Sequence, residues 1–127
     1  MERLIGILES NGSFVVNIIK NEAYSSGYGV GINFTFRSIE KDLIEHVHTL
    51  LTDKGIDSNI KGNTLILVGN DNLQKFCRFI EKCGGFISIK RQGEFLSFKK
   101  ILNFYKNKEH LTVNGIEKIR KEKENLK

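Results

Sequence analysis

The stretch Leu4-Ile5-Gly6-Ile7-Leu8-Glu9-Ser10-Asn11-Gly12-Ser13-Phe14 changes its hydrophobic period in the middle, and that change sets the start of the fold. Up to Asn11 the apolar residues Leu4, Ile7 and Leu8, with Ile5 beside them, follow the i, i+3, i+4 spacing of one buried helix face. Gly12 ends that helix. From Ser13 the period becomes two. Phe14, Val16 and Ile18 alternate with Val15, Asn17 and Ile19, and the density of Val, Ile and Phe predicts a strand.

Working outward, residues 21–29 read as turn and loop, and the next strand alternates cleanly. Val30, Ile32, Phe34 and Phe36 form a core face, and Gly31, Asn33, Thr35 and Arg37 form the other. Ser38, with Glu40 and Asp42 after it, predicts a capped helix start. Leu43, Val47, Leu50 and Leu51 supply that helix's stripe, and Gly55 closes it. Residues 56–61 and 64–68 flank Gly62-Asn63, a tight-turn signal, and predict a second hairpin. Asn70-Asp71 opens a helix with Leu73, Phe76, Cys77 and Ile80 inward, broken by Gly84-Gly85. Residues 86–90 read as a connection, and Phe95, Phe98, Ile101, Leu102 and Tyr105 mark an amphipathic helix. Thr112 caps a last helix whose inward residues are Val113, Ile116 and Ile119. The predicted order is α-β-β-α-β-β-α with a helical tail, an α+β class.

A chain of 127 residues, 39% hydrophobic, suits one compact core, so a single domain is expected over 1–127, with a basic helical tail at 112–127. No apolar run approaches the roughly eighteen residues that cross a bilayer, and no charged-then-apolar leader is visible, so no membrane partner is expected. Cys77 and Cys83 have neither CxxC spacing nor a neighbouring His, and are expected to be reduced, structural thiols. The net charge of +5 is uneven. Residues 1–71 hold six Lys/Arg against nine Asp/Glu, whereas 72–127 hold fourteen against six. A surplus of that kind attracts phosphate, and a solvated lysine-rich surface is the plain alternative. Ile, Asn and Lys make up 43 residues, the bias of A/T-rich codons, which points to an organelle, the mitochondrion before the chloroplast.

The opening stretch resembles the LAGLIDADG motif with its following Ser-Phe. The likeness continues through Lys90-Arg91, Phe95 and Phe98-Lys99. It reaches Lys108-Glu109-His110-Leu111-Thr112-Val113-Asn114-Gly115-Ile116-Glu117-Lys118-Ile119, which is similar to that family's closing K-E-H-L-T-x-x-G-L-x-K-I. The resemblance implies the homing-endonuclease fold, an αββαββα domain with C-terminal helices packed on a saddle-shaped antiparallel sheet. In such proteins the last motif residue before Gly holds the metal that activates water, and one motif per chain implies a homodimer. The matching position is Asn11, a neutral ligand where an anionic oxygen is wanted. Glu9 matches the first acidic position, whose role is structural. Ile5 replaces the small residue of the helix seam, so it either hinders pairing of two such helices or faces the chain's own core. Lys90 matches the basic residue near the metal.

The expected nucleic-acid contacts are Asn17, Asn33, Thr35 and Arg37 on the polar strand face, for base edges, and Lys90, Arg91, Lys118, Arg120 and Lys121 for phosphate. The basic half is expected to supply most of the affinity. The favoured reading is a cleavage-deficient binder of structured RNA, such as organellar ribosomal or intron RNA, with other proteins of a large complex as further partners and no cofactor. The alternative is a Mg²⁺-dependent homodimer that cuts double-stranded DNA, with Asn11 and Glu9 as the candidate metal ligands.

Overall fold

A computed structural model describes residues 2–24 and 26–126. Its helices are α1 (Glu2–Asn11), α2 (Lys41–Asp53), α3 (Asn70–Lys82), α4 (Ile89–Lys106) and α5 (Val113–Lys123), with short 3-10 turns at Glu109–Leu111 and Glu124–Leu126. The strands are β1 (Gly12–Lys20), β2 (Tyr28–Arg37), β3 (Asn59–Lys61) and β4 (Thr64–Val68). They form one antiparallel sheet in the order β1-β2-β4-β3.

The period-two reading fixes which side of the sheet is covered. Phe14, Val16, Phe34, Phe36, Leu65 and Leu67 all point into the core and are buried. Helices α3 and α4 lie on that side: the Phe34 and Phe76 rings are 4.7 Å apart and Phe14 sits 4.6 Å from Phe98. Burying one such aromatic side chain is worth roughly 1.5–3 kcal/mol, so this cluster is a principal source of stability. Gly12 is required where α1 passes into β1. A Cβ there would run into the Phe34 ring and the Leu8 carbonyl.

Four local expectations change. Ser38 does not cap α2; its Oγ accepts the Glu40 N–H at 3.0 Å in the preceding turn, and the cap position falls at Glu40. Strand β3 begins at Asn59 rather than at residue 56. Asn72 holds the Asp57 backbone from both sides, accepting its N–H at 2.8 Å and donating to its carbonyl at 2.7 Å, while Ile56 is buried in the core. The connection expected over residues 86–90 ends at Ser88, whose Oγ accepts the Arg91 N–H and starts α4 early. Val113 is 65% exposed instead of inward, because it precedes the part of α5 that buries Ile116 and Ile119. Gly55, at φ +76, closes α2 as expected, with the Ile56 N–H returning to the Leu51 carbonyl at 3.0 Å. No helix among the described residues is long and apolar enough to cross a membrane.

Candidate nucleic-acid interface

All helices that touch the sheet's core face leave the opposite face open. The strand register lays out its side chains in rows. Ser13 of β1 pairs with Thr35 of β2, Val15 with Asn33, and Asn17 with Gly31. Across the next seam Asn33 pairs with Val68, Thr35 with Ile66, and Arg37 with Thr64, which in turn pairs with Lys61 of β3. The structure therefore brings Asn17, Asn33, Thr35 and Arg37 onto one surface, as the alternation predicted. It adds Lys61, which the sequence reading missed. Alternation from Thr64 across the Gly62-Asn63 turn was the available signal, masked by the assumption of a longer β3.

This face mixes apolar and amide groups. Val15 and Val68 flank Asn33, whose Oδ1 is buried without a hydrogen-bond partner. No hydrogen bond among the described residues holds that oxygen inward, and once it is turned outward the Asn amide can pair bidentately with an adenine edge. Arg37 and Lys61 give the open face its cations, and neither forms an ion pair among the described residues. Arg37 also shares a shallow concavity of about 620 Å³ with Asn11, Ser38, Ile39, Asn63 and Thr64. The end of α1 and the charged end of β2 thus face one space.

Glu9 is fully engaged. Its two carboxylate oxygens accept the N–H groups of Ile87 and Ser88 at 2.8 and 2.9 Å. These are free donors just ahead of α4, where negative charge is stabilised by the helix N-terminus. The bond ties the end of α1 to the first turn of α4 and brings exposed Lys90 to the same end of the molecule. Among the described residues no three of His, Cys, Asp or Glu gather as a metal cluster. The donors at the motif do not fit a catalytic Mg²⁺: Asn11 is neutral and Glu9 already accepts two backbone protons.

The remaining basic candidates lie elsewhere and are largely committed. Arg91 bonds Glu94 at 3.2 Å, Lys118 bonds Glu109 at 2.9 Å, and Arg120 bonds Glu117 at 3.0 Å. Arg120 also lies 4.7 Å from the Tyr28 ring centre. Tyr28 shares the parity of Val30 and Phe34, so this contact is on the helix-covered side of the sheet. Lys121 is exposed on the same helix. Thr112 does cap α5, accepting the Gly115 N–H at 2.9 Å. Cys77 and Cys83 are free, and burial pushes the Cys77 thiol up to about 12, which makes it unreactive.

Ile5 is only 4% exposed and packs in the chain's own core. Of the two orientations weighed for it, the inward one holds, and the exposed face of α1 carries Gly6 and Ser10. A Cβ added at Gly6 would meet nothing within 4 Å. Two small residues one turn apart leave that face open to a close helix crossing.

Comparison with solved structures matches this arrangement. The LAGLIDADG homing endonuclease I-SmaMI, solved bound to cleaved DNA, superposes with a TM-score of 0.79 at 32% identity, over 91% of this chain and 40% of that one. The fold is that of the LAGLIDADG homing endonucleases. The homing endonuclease I-TnaI superposes with a TM-score of 0.83 at 25% identity, over 95% of this chain and 83% of that one. A probable intron-encoded endonuclease 2 of Neurospora crassa is 25% identical over 122 residues, 91% of this chain and 26% of that protein. The chain therefore spans about a quarter of the length of that relative and two fifths of I-SmaMI. An I-SmaMI complex with uncleaved DNA was obtained in the presence of calcium ions. No family model matches the sequence.

Proposed function

We propose that this chain is a duplex-DNA-binding domain of homing-endonuclease architecture whose own motif supplies no catalytic carboxylate. The observation that carries the reading is the division of labour at the end of α1: Glu9 is spent on the Ile87 and Ser88 N–H groups, leaving Asn11 as the neutral residue facing the open concavity. DNA replaces the RNA favoured from sequence, because the relatives are homing or intron-encoded endonucleases and I-SmaMI is seen on DNA. Neither RNA nor a large assembly has support in these likenesses. The open face would enter a groove, with Asn17, Asn33 and Thr35 at base edges and Arg37 and Lys61 on phosphate. Lys90, at the same end as Asn11, would add a phosphate contact.

A second copy of the fold is the expected protein partner, received on the Gly6 and Ser10 face of α1. The bias towards amino acids of A/T-rich codons supports an organellar location, the mitochondrion first. A second reading, an active Mg²⁺-dependent endonuclease, is favoured by the I-SmaMI complex with cleaved DNA. It requires a carboxylate that Asn11 does not bring. Amide chemical shifts during titration with duplex DNA test the binding surface. The reading expects the perturbed amides to cluster on Asn17, Asn33, Thr35, Arg37 and Lys61. Perturbations confined to α5 would contradict it.

A further inference from the structure

A second basic site lies on the far side of the molecule, where the C-terminal ends of α2 and α3 meet. There a concavity of about 400 Å³ is lined by Lys54, Lys75, Arg78, Phe79, Lys82 and Cys83. Helix α3 turns Leu73, Phe76 and Ile80 to the core, with Phe76 against Phe34 on the covered side of the sheet. Lys75, Arg78 and Lys82 project from its opposite face, directly away from the open sheet surface.

Convergence separates this cluster from an ordinary solvated helix face: four cations line one concavity, whereas Lys106, Lys121 and Lys123 are likewise unpaired among the described residues but do not share it. None of the four cations is in an ion pair among the described residues, and Glu81 on the same helix is held by Lys99 of α4 at 2.8 Å. Asp71, one turn before Lys75, makes no ion pair among the described residues either. By contrast Arg91, Lys118 and Arg120 each have a carboxylate partner. The favourable effect of basic residues on a helix C-terminus accounts for Lys54 and Lys82, each at the end of its helix, but not for Lys75, two turns earlier. Three cations spread over about 10 Å of helix axis form a linear array, the shape of a linear polyanion. Phe79, half-buried in the wall, adds a ring on which an unpaired base can rest.

We propose that this concavity is a second nucleic-acid site, binding a single strand through the phosphates held by Lys54, Lys75, Arg78 and Lys82, with Phe79 as the stacking wall. A duplex backbone is convex and would touch the rim, whereas an unpaired strand can lay a nucleotide into the hollow. The site faces away from the sheet, so the domain can hold a duplex and a single strand at once. The proposal does not rest on duplex binding by the open face.

Fluorescence anisotropy of a short labelled oligothymidylate, over a salt series, tests it. The combined Lys75→Gln, Arg78→Gln and Lys82→Gln variant should bind at least tenfold more weakly. Its log K against log salt slope should flatten by about 2, at roughly 0.7 per neutralised contact. Unlabelled duplex should leave the bound oligothymidylate in place, and the variant's own duplex affinity should be unchanged. If the triple variant melts early, Lys75→Gln alone should flatten the slope by about 0.7. An unchanged slope overturns the proposal, as does full displacement by duplex. Equal competition by polyglutamate overturns it in favour of an acidic protein partner.

Discussion

The open sheet face and the C-terminal helices differ in what their charges are free to do. The face has few cations, Arg37 and Lys61, and both lack a carboxylate partner among the described residues. Residues 72–127 hold the formal surplus, yet Arg91, Lys99, Lys100, Lys118 and Arg120 of that half each meet a glutamate. Formal charge and available charge therefore differ on α4 and α5, although Lys75, Arg78 and Lys82 of α3 in the same half stay unpaired among the described residues. A partner reads the available charge, because a cation already held by a carboxylate gains less on meeting phosphate.

The largest effect should come from the joint between the two regions. Glu9→Ala leaves the Ile87 and Ser88 N–H groups without their acceptor, and hydrogen bonds to a charged group are worth roughly 1.5–3 kcal/mol. Because the site is partly open to water, a loss of about 2 kcal/mol is expected in denaturant unfolding. A variant as stable as the parent would show that the joint does not hold α4 in place. Next comes the face itself. Arg37→Ala with Lys61→Ala should weaken duplex binding by about tenfold or more and flatten the salt slope by about 1.8, at about 0.9 for each lost phosphate contact. An undiminished slope would move binding off the sheet.

A smaller effect is expected in the helical region, where the His110 ring stacks on Tyr105 at 4.0 Å. Burial lowers the His110 pKa below its ordinary 6.5, so the unfolded chain takes up the proton first as pH falls. The stabilising balance is complete above that value and declines below it, which predicts a melting temperature that drops in mild acid. His110→Phe keeps the stack and should flatten that dependence. A variant with the same acid sensitivity would assign it to another group. The smallest effect is expected for Lys118→Ala with Arg120→Ala: exposed pairs contribute at most about 1 kcal/mol each, and duplex affinity should change less than about twofold. A tenfold loss there would reverse the comparison between the two regions.

What the sequence disclosed follows the range of each interaction. Period alone placed α1, β1 and β2 and assigned Asn17, Asn33, Thr35 and Arg37 to one face, because alternation is a local property of the backbone. The orientation of Ile5 was not local. It sits beside Leu4 and Leu8 on a broad stripe, and only packing of α1 against the core turned it inward. The short β3 depended on Asn72, fifteen residues away, taking the Asp57 backbone. The pairs that join α4 to α3 and α5, Lys99 with Glu81 and Lys100 with Glu122, were out of reach of any short window, whereas Arg91 with Glu94 and Arg120 with Glu117 are i, i+3 pairs that the sequence did contain. The Asn11 substitution was legible from the motif, but the commitment of Glu9, which makes it decisive, needed the distant Ile87 and Ser88.

On the proposed reading the domain recognises duplex DNA while its own motif lacks the means to cut. Incubating the unmodified chain with the duplexes it retains, in Mg²⁺, and resolving the strands on a denaturing gel tests it most directly. The account predicts retained duplexes with both strands intact, whereas a specific double-strand break would show that Asn11 suffices and contradict it.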